Sequence, residues 1–305
     1  LAADAAKAVI DWASLGGVSL VTDKGVDKNY RYMATTADNQ EIILSYRPVG
    51  AQPCWMMPWI PLLPYNWYYR NRGHTMTFNF LRLYEKQDGT PQTWNMDGGN
   101  DLTQKYNELD RRLKQSVTVV GDYFNEDYPL MASWVGGKDD NGLCWGGNWV
   151  TKPVPPSAKW APTLLNDITY RLGEAFLNYA EALNEAQGPV AAAYDAVNSI
   201  RARSGQPDLP PGLSKEQFRE RVRNERAIEL FYEGHRFWDI RRWMIAEEVS
   251  SGPFYGIKAY LNPDVPNFRY EIYPFETRTF SKKMYLHPFP QDEVLKGYIV
   301  QNPGY

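Results

Sequence analysis

Glu225 and Glu229 stand four residues apart in the most charged stretch of the chain, SKEQFRERVRNERAIELFYEGHRFWDIRRW, from Ser214 to Trp243. They are the first residues to test for chemistry, because a pair of carboxylates can act as acid and base in glycoside hydrolysis. The stretch holds six acidic and eight basic residues, yet large apolar side chains are threaded through it. At about 3.6 residues per turn, Phe218, Val222, Glu225, Glu229 and Tyr232 share one helical face. Ser214 with Gln217 three residues on marks a capping-box start, and Gly234 supplies a stop. Leu230 and Phe231 lie off that face, so the helix is apolar on several sides and is expected to be buried. Buried carboxylates need partners. Acid and base in a glycosidase face each other across a sugar, whereas residues four apart on a helix point the same way. With Arg226, Arg236, Arg241 and Arg242 at hand, bidentate ion pairs are the favoured outcome. The stretch reads as a charged knot in a core, with no catalytic residue.

Other reactive side chains are sparse. His74, His235 and His287 are scattered, without the companions a zinc site requires. The run Asp139-Asp140-Asn141-Gly142 lacks the spacing and distal Glu of a calcium loop and reads as a turn. Neither a metal nor a cofactor is expected. Cys54 and Cys144 read as two free buried thiols, with a disulfide permitted in an exported compartment.

Aromatic residues are the distinctive resource: 14% of the chain, with 11 Trp and 21 Tyr. They concentrate in irregular segments. Pro53 to Gly73 carries Trp55, Trp59, Tyr65, Trp67, Tyr68 and Tyr69 among four prolines, which forbid a regular helix or central strand. The loop Thr93 to Asp101 pairs Trp94 with Asn95, and Ser133 to Trp149 spaces Trp134, Trp145 and Trp149 among glycines. Sugar rings stack on flat aromatic faces and leave hydroxyls for polar neighbours. Trp55, Trp59, Trp67, Tyr68, Trp94, Asn95, Trp145 and Trp149 are the candidate ligand-binding residues.

The elements that must position these residues follow from periodicity. Residues 1–17 read as the end of a helix, with Ala5, Val9 and Trp12 or Ala13 on its apolar side, and 40–50 as a strand. Residues 40–160 form a loop- and aromatic-rich region with a short helix or strand at Phe78 and a strand at Ser116 to Val120. Residues 163–245 form a helical core: Asp167 to Gln187 and Ala191 to Arg203 have helical spacing, and Gly173, Ala175, Ala180 and Ala182 let the pair approach closely. Such a pair resembles one tetratricopeptide-type unit. Residues 250–305, rich in Pro, Tyr and Phe, read as coil and small strands wrapped over the helices. The length of 305 residues suits one large or two ordinary domains. A net charge of −3 excludes a general nucleic-acid footprint. The sequence has no apolar run long enough to span a membrane as a helix.

The run RNERAIELFYEGHRFWDIRRW, Arg223 to Trp243, resembles the signature of the SusD/RagB family at Glu225, Arg226, Glu229, Leu230, Glu233, Gly234, Arg236, Trp238, Asp239, Arg242 and Trp243. In the family's order, TYRLGEAFLNYAEALNEA, NSIRARSG, YLHPFPQDEV and the terminal QNPGY resemble further segments. The resemblance is strong from Ile168 onward and loose before it, where the family's Pro-Thr-Gln opening is absent ahead of the Asp88-Gly89 turn. It implies a mainly α, SusD-like fold with tetratricopeptide-type helix pairs, a loop-rich region and a few short strands. It implies that residues 1–305 are the C-terminal part of one longer domain. It further implies a non-catalytic, surface-exposed outer-membrane lipoprotein, anchored through an N-terminal lipid outside this sequence. Such a protein delivers oligosaccharide to a SusC-like TonB-dependent transporter. A peptide-binding RagB-like role and a glycoside hydrolase are the alternatives. The segment YLHPFPQDEV is expected to pack the chain end into the core.

Overall fold

The computed structural model describes residues 1–46, 74–126, 128–140, 144–157, 167–262 and 267–305. Gly17, at φ 75°, ends helix α1 (Ala2–Gly16) in the left-handed conformation and donates its N–H to Ala13 O. The face of α1 that is buried carries Ala6 and Ala13, while Val9 and Trp12 remain exposed. The apolar stripe is thus rotated from the expected one. Ala13 packs on Leu172 and Ala175.

The next elements are α2 (Asn29–Thr35), β1 (Ile42–Tyr46), α3 (Phe78–Leu81), α4 (Leu102–Glu108), α5 (Arg112–Ser116), β2 (Val117–Val119) and β3 (Asn148–Val150). Strands β2 and β3 pair antiparallel with Thr118 opposite Trp149. Residues Asp167–Arg171, expected to open a helix, instead form β4 against β1. The branched and aromatic side chains of Ile168, Thr169 and Tyr170 suit a strand better. Helix α6 (Leu172–Gln187) starts there and α7 (Ala191–Arg203) follows, the latter with the bounds its spacing predicts.

Helix α8 (Lys215–Glu229) begins with the full capping box: Ser214 Oγ accepts from Gln217 N, and the Gln217 side chain accepts from Ser214 N. It stops at Leu230, four residues before Gly234, which instead opens α9 (His235–Arg242) at φ 83°. A short α10 (Ala246–Val249) leads into β5 (Gly252–Leu261) and β6 (Phe268–Arg278). These form a long antiparallel hairpin where only small strands were expected. Its prolines sit where they interfere least. Pro253 is near the strand start, and Pro274 faces Tyr255 at a register shift. A 3₁₀ turn at Lys282–Tyr285 and α11 (Gln291–Leu295) close the described chain. Neither carries a buried residue. The expectation that the chain end packs into the core is therefore not met among the described residues.

The fold is mainly α, with three two-stranded sheets among the described residues. Phe218 and Val222 of α8 join Ala180, Leu183, Ala193 and Val197 in a core shared with α6 and α7. Nearly two helical turns beyond Val222, Ile228 enters a larger core of α3, α4, β2, β3 and the hairpin. Helix α8 therefore belongs to two apolar clusters, and its carboxylates lie where they meet.

Candidate functional site

Glu225 and Glu229 are almost wholly buried, as is Glu41. Their partners come from far along the chain rather than from their own stretch. Glu229 Oε1 accepts from Arg171 Nη1 at 2.7 Å and from Arg203, and its Oε2 accepts from Arg112 at 3.2 Å. Glu225 accepts from Arg112 and, at 3.0 Å, from Arg201. Glu41 receives Arg171 and Arg203. Arg201 also reaches Glu85 at 3.0 Å, and Arg112 grips Asp110 at 2.7 Å. Arg226 and Arg242, expected to serve Glu225 and Glu229, instead bind Asp239 at 2.7 and 2.8 Å. Arg241 stacks on Phe237.

Electrostatics agree with a structural role. Burial alone would raise the Glu233 carboxyl, but Arg171 and Lys152 overcome it and hold the group down at about 2. Glu229 is likewise held below the usual carboxylate range by Arg203, Arg171 and Arg112 against the effect of burial. Burial lowers Lys152 to about 8, although Glu233 works against it. A general acid near neutrality would need its pKa raised, and both carboxyls are moved the other way. The knot locks elements together, and its Glu41, Glu225 and Glu229 are too buried to meet a sugar.

The aromatic loops are organised by the hairpin. Ile257 N donates to Trp145 O at 3.0 Å on the outer edge of β5, and Val135 N donates to Ala259 O at 2.8 Å further along it. On the outer edge of β6, Gly99 and Tyr270 exchange both backbone bonds, at 3.1 and 2.8 Å. Glycine is required at these approaches. A β-carbon on Gly256 would stand 1.8 Å from Trp145 O, and one on Gly98 would stand 2.3 Å from Tyr270 O. The two Trp-bearing loops thus grip opposite edges of one hairpin.

Trp145 is exposed and tilted over Phe275, with ring centroids 5.1 Å apart. Trp94 is half-buried and meets Phe78 and Tyr270 edge-on at 5.3 Å each. It lines a cleft of about 540 Å³ between α3, the 91–96 loop, α8 and β5, with Met96, Tyr255, Arg82, Arg221 and Asn224. That size lies within the range of small-ligand sites. Asn224 donates its amide to Leu83 O at 2.9 Å. Asn95, next to Trp94, is exposed, but its side-chain oxygen accepts from Asp97 N in a turn.

Of the candidates, Trp94, Asn95 and Trp145 thus keep accessible surface. Trp149 is 1% exposed on β3, so it offers no face to a ligand, contrary to its expected role. Its glycine-rich flank suggested a loop, but the strand pairing with Thr118 turns the ring inward. Trp55, Trp59, Trp67, Tyr68 and Cys54 lie outside the described residues. Cys144 donates to Asn148 O at 3.3 Å, and burial pushes its thiol pKa up. Tyr255, Tyr273 and Phe275 belong to the stretch expected to wrap over the helices. Tyr255 lines the cleft, and Tyr273 lies beneath Lys258, whose ammonium is 4.5 Å from the ring centroid. Alternating aromatics along 268–275 were the available signal. Among the described residues, no group of carboxylate, His or Cys side chains could hold a metal, and no helix is long and apolar enough to cross a membrane.

Residues 20–305 match the family model described as SusD family. The chain is 34% identical over 149 residues to the SusD-like protein P2 of Formosa agariphila, covering 46% of this chain and 26% of that protein. It is 38% identical over 87 residues to SusD-like protein P25 of the same organism, covering 28% of this chain and 16% of that one. Among solved structures, a SusD-like protein of Bacteroides fragilis superposes over the whole chain and 63% of its own length, with a TM-score of 0.80 and 26% identity. A SusD-like carbohydrate-binding protein of the same species has a TM-score of 0.69 at 23% identity, covering 95% of this chain and 59% of that one. The chain therefore spans less than two thirds of each of these relatives.

Proposed function

The chain belongs to the SusD family, and from that premise we propose that it is a non-catalytic glycan-binding protein of the cell surface. It captures oligosaccharides at the outer membrane and passes them to a SusC-like TonB-dependent transporter. The observation that carries this reading is the concave site of Trp94 and Tyr255 with Arg82, Arg221 and Asn224 around it. Apolar ring faces beside a few hydrogen-bonding groups are what a sugar requires. Similar folds described as carbohydrate-binding or surface glycan-binding support the same reading. Binding involves Trp94, Asn95, Tyr255 and Trp145, together with Trp55, Trp59, Trp67 and Tyr68.

The test is a glycan array followed by calorimetry on the best hit. Tyr255→Ala and Trp145→Ala are expected to weaken affinity about tenfold or more, the scale of an aromatic anchor, and the change at the exposed Trp145 leaves the melting temperature nearly unchanged. Release of new reducing ends by the purified protein, abolished in a folded Glu229→Gln variant, would replace binding with hydrolysis. Capture of peptides but no glycan would favour the peptide-binding form of the family.

A further inference from the structure

Among the described residues, most arginines face a carboxylate. Arg112, Arg171, Arg201 and Arg203 do so in the knot, and Arg226 and Arg242 share Asp239. The exceptions have substitutes. Arg31 donates to Thr151 Oγ1 and Val154 O, and Arg241 to Phe237 O. Two guanidinium groups have neither an ion pair nor a hydrogen bond among the described residues: Arg82 and Arg236.

Both line clefts, and the clefts adjoin. Arg82, at the C-terminal end of α3, opens into the Trp94–Tyr255 cleft. Arg236, in the first turn of α9, lines a second cleft of about 560 Å³ with Arg223 and Glu248. Leu83, Arg221 and Asn224 line both and form their common wall. The acidic groups here are mostly engaged. Glu85 is held by Arg201 and Arg221, and Glu220 by Arg223 at 3.2 Å. Asp239, the acid nearest to Arg236 along its helix, is bound by Arg226 and Arg242. Among the described residues lining the two clefts only the exposed Glu248 remains, so positive charge is in excess among them. Burial pushes the Arg236 guanidinium down from its ordinary value, and Asp239 only partly offsets it. That is the behaviour of a charge short of a counter-ion.

Neutral hydroxyls are well served by Asn and Gln. An uncommitted guanidinium beside a stacking ring suits a planar or tetrahedral anion, which it can bind through two parallel hydrogen bonds. We infer that the double cleft takes glycans bearing an anionic substituent, a carboxylate or a sulfate, with Arg82 and Arg236 as counter-ions and Trp94 and Tyr255 as the sugar platform. The inference rests on the glycan-binding reading and narrows it to acidic saccharides.

The experiment presents the chain with a panel of uronate-containing and sulfated polysaccharides. Each is paired with its carboxyl-reduced or desulfated form, and neutral glucans and mannans are included. Tight binding to an acidic member, lost in its neutralised partner and weakened by salt, is expected. Arg82→Gln and Arg236→Gln should each reduce that affinity about tenfold to a hundredfold, the scale of a charged hydrogen bond, and leave unfolding unchanged. Which treatment abolishes binding tells carboxylate from sulfate. Equal binding to charged and neutralised partners, or intact affinity in both variants, would overturn acidic selectivity while leaving glycan binding in place. Binding to no member of the panel would overturn both.

Discussion

A β-carbon on Gly173 would stand 2.4 Å from Arg171 Nη1 and 2.9 Å from Glu41 Oε1. The sequence places this glycine among small residues that let two helices approach. The structure shows that it makes room for charged groups instead. Gly173→Ala is expected to destabilise the protein by about 2–4 kcal/mol by prising the knot apart, measurable by urea unfolding. Glu229→Ala takes a shared carboxylate from Arg112, Arg171 and Arg203, leaving them Asp110, Glu225, Glu41 and Glu233, and is expected to cost about 3–5 kcal/mol. Trp149→Ala, which empties a core site, belongs in a similar range, whereas Trp145→Ala does not. Acid tests the knot without mutation. Glu233 titrates at about 2 in the fold against a reference of 4.5, so below 4.5 the unfolded chain takes up more protons. Its contribution to stability is complete above pH 4.5 and is lost as pH falls toward 2. Melting temperatures recorded from pH 6 to pH 2 should fall steepest in that window. At this scale the sequence showed that Glu225 and Glu229 need arginines but not which ones. Local spacing sees only neighbours, whereas Arg112 and Arg171 lie 117 and 58 residues from Glu229.

Among elements, those whose ends carry their own chemistry were legible. The Ser214–Gln217 capping box starts α8 where it was expected, and α7 ends as predicted. The β5–β6 hairpin was not legible as a long ladder, because Pro253 and Pro274 argue against strands and are reconciled only by the first's place near the strand start and the register shift opposite the second. The same hairpin decides the geometry of the candidate site, which no local pattern could reveal. Gly256→Ala is expected to force the Trp145 loop off the β5 edge. Hydrogen exchange at Ile257 N, now bonded to Trp145 O, should quicken, and glycan affinity should fall with it. Unchanged exchange there would mean that the loop adapts and that the glycine is not what seats it.

Across the whole molecule, the knot draws on residues spread between Glu41 and Glu233. Glu41 precedes β1, Glu85 follows α3, Arg112 opens α5, Lys152 follows β3, Arg171 ends β4, and Arg201 and Arg203 end α7. Such a cross-link couples the helical cluster to the hairpin cluster, so they are expected to unfold together. Far-ultraviolet dichroism and aromatic near-ultraviolet dichroism should give coincident transitions in the parent and in Glu229→Ala, only at lower denaturant in the variant. Separate transitions would show that the clusters are independent. The family signature was readable because its residues occur in one run, and the candidate cleft was not, because it is assembled from α3, the 91–96 loop, α8 and β5.

The loops that grip the hairpin have a consequence beyond ligand recognition. An uncovered two-stranded ribbon presents two rows of free backbone groups, and such edges recruit strands from other molecules. Trp145 O and Val135 N on one side, and the Gly99–Tyr270 bridge on the other, already occupy parts of those rows. Shortening or loosening either loop to alter glycan preference would therefore invite self-association and precipitation. The residues proposed to set glycan preference would thus also keep the ribbon's edges closed.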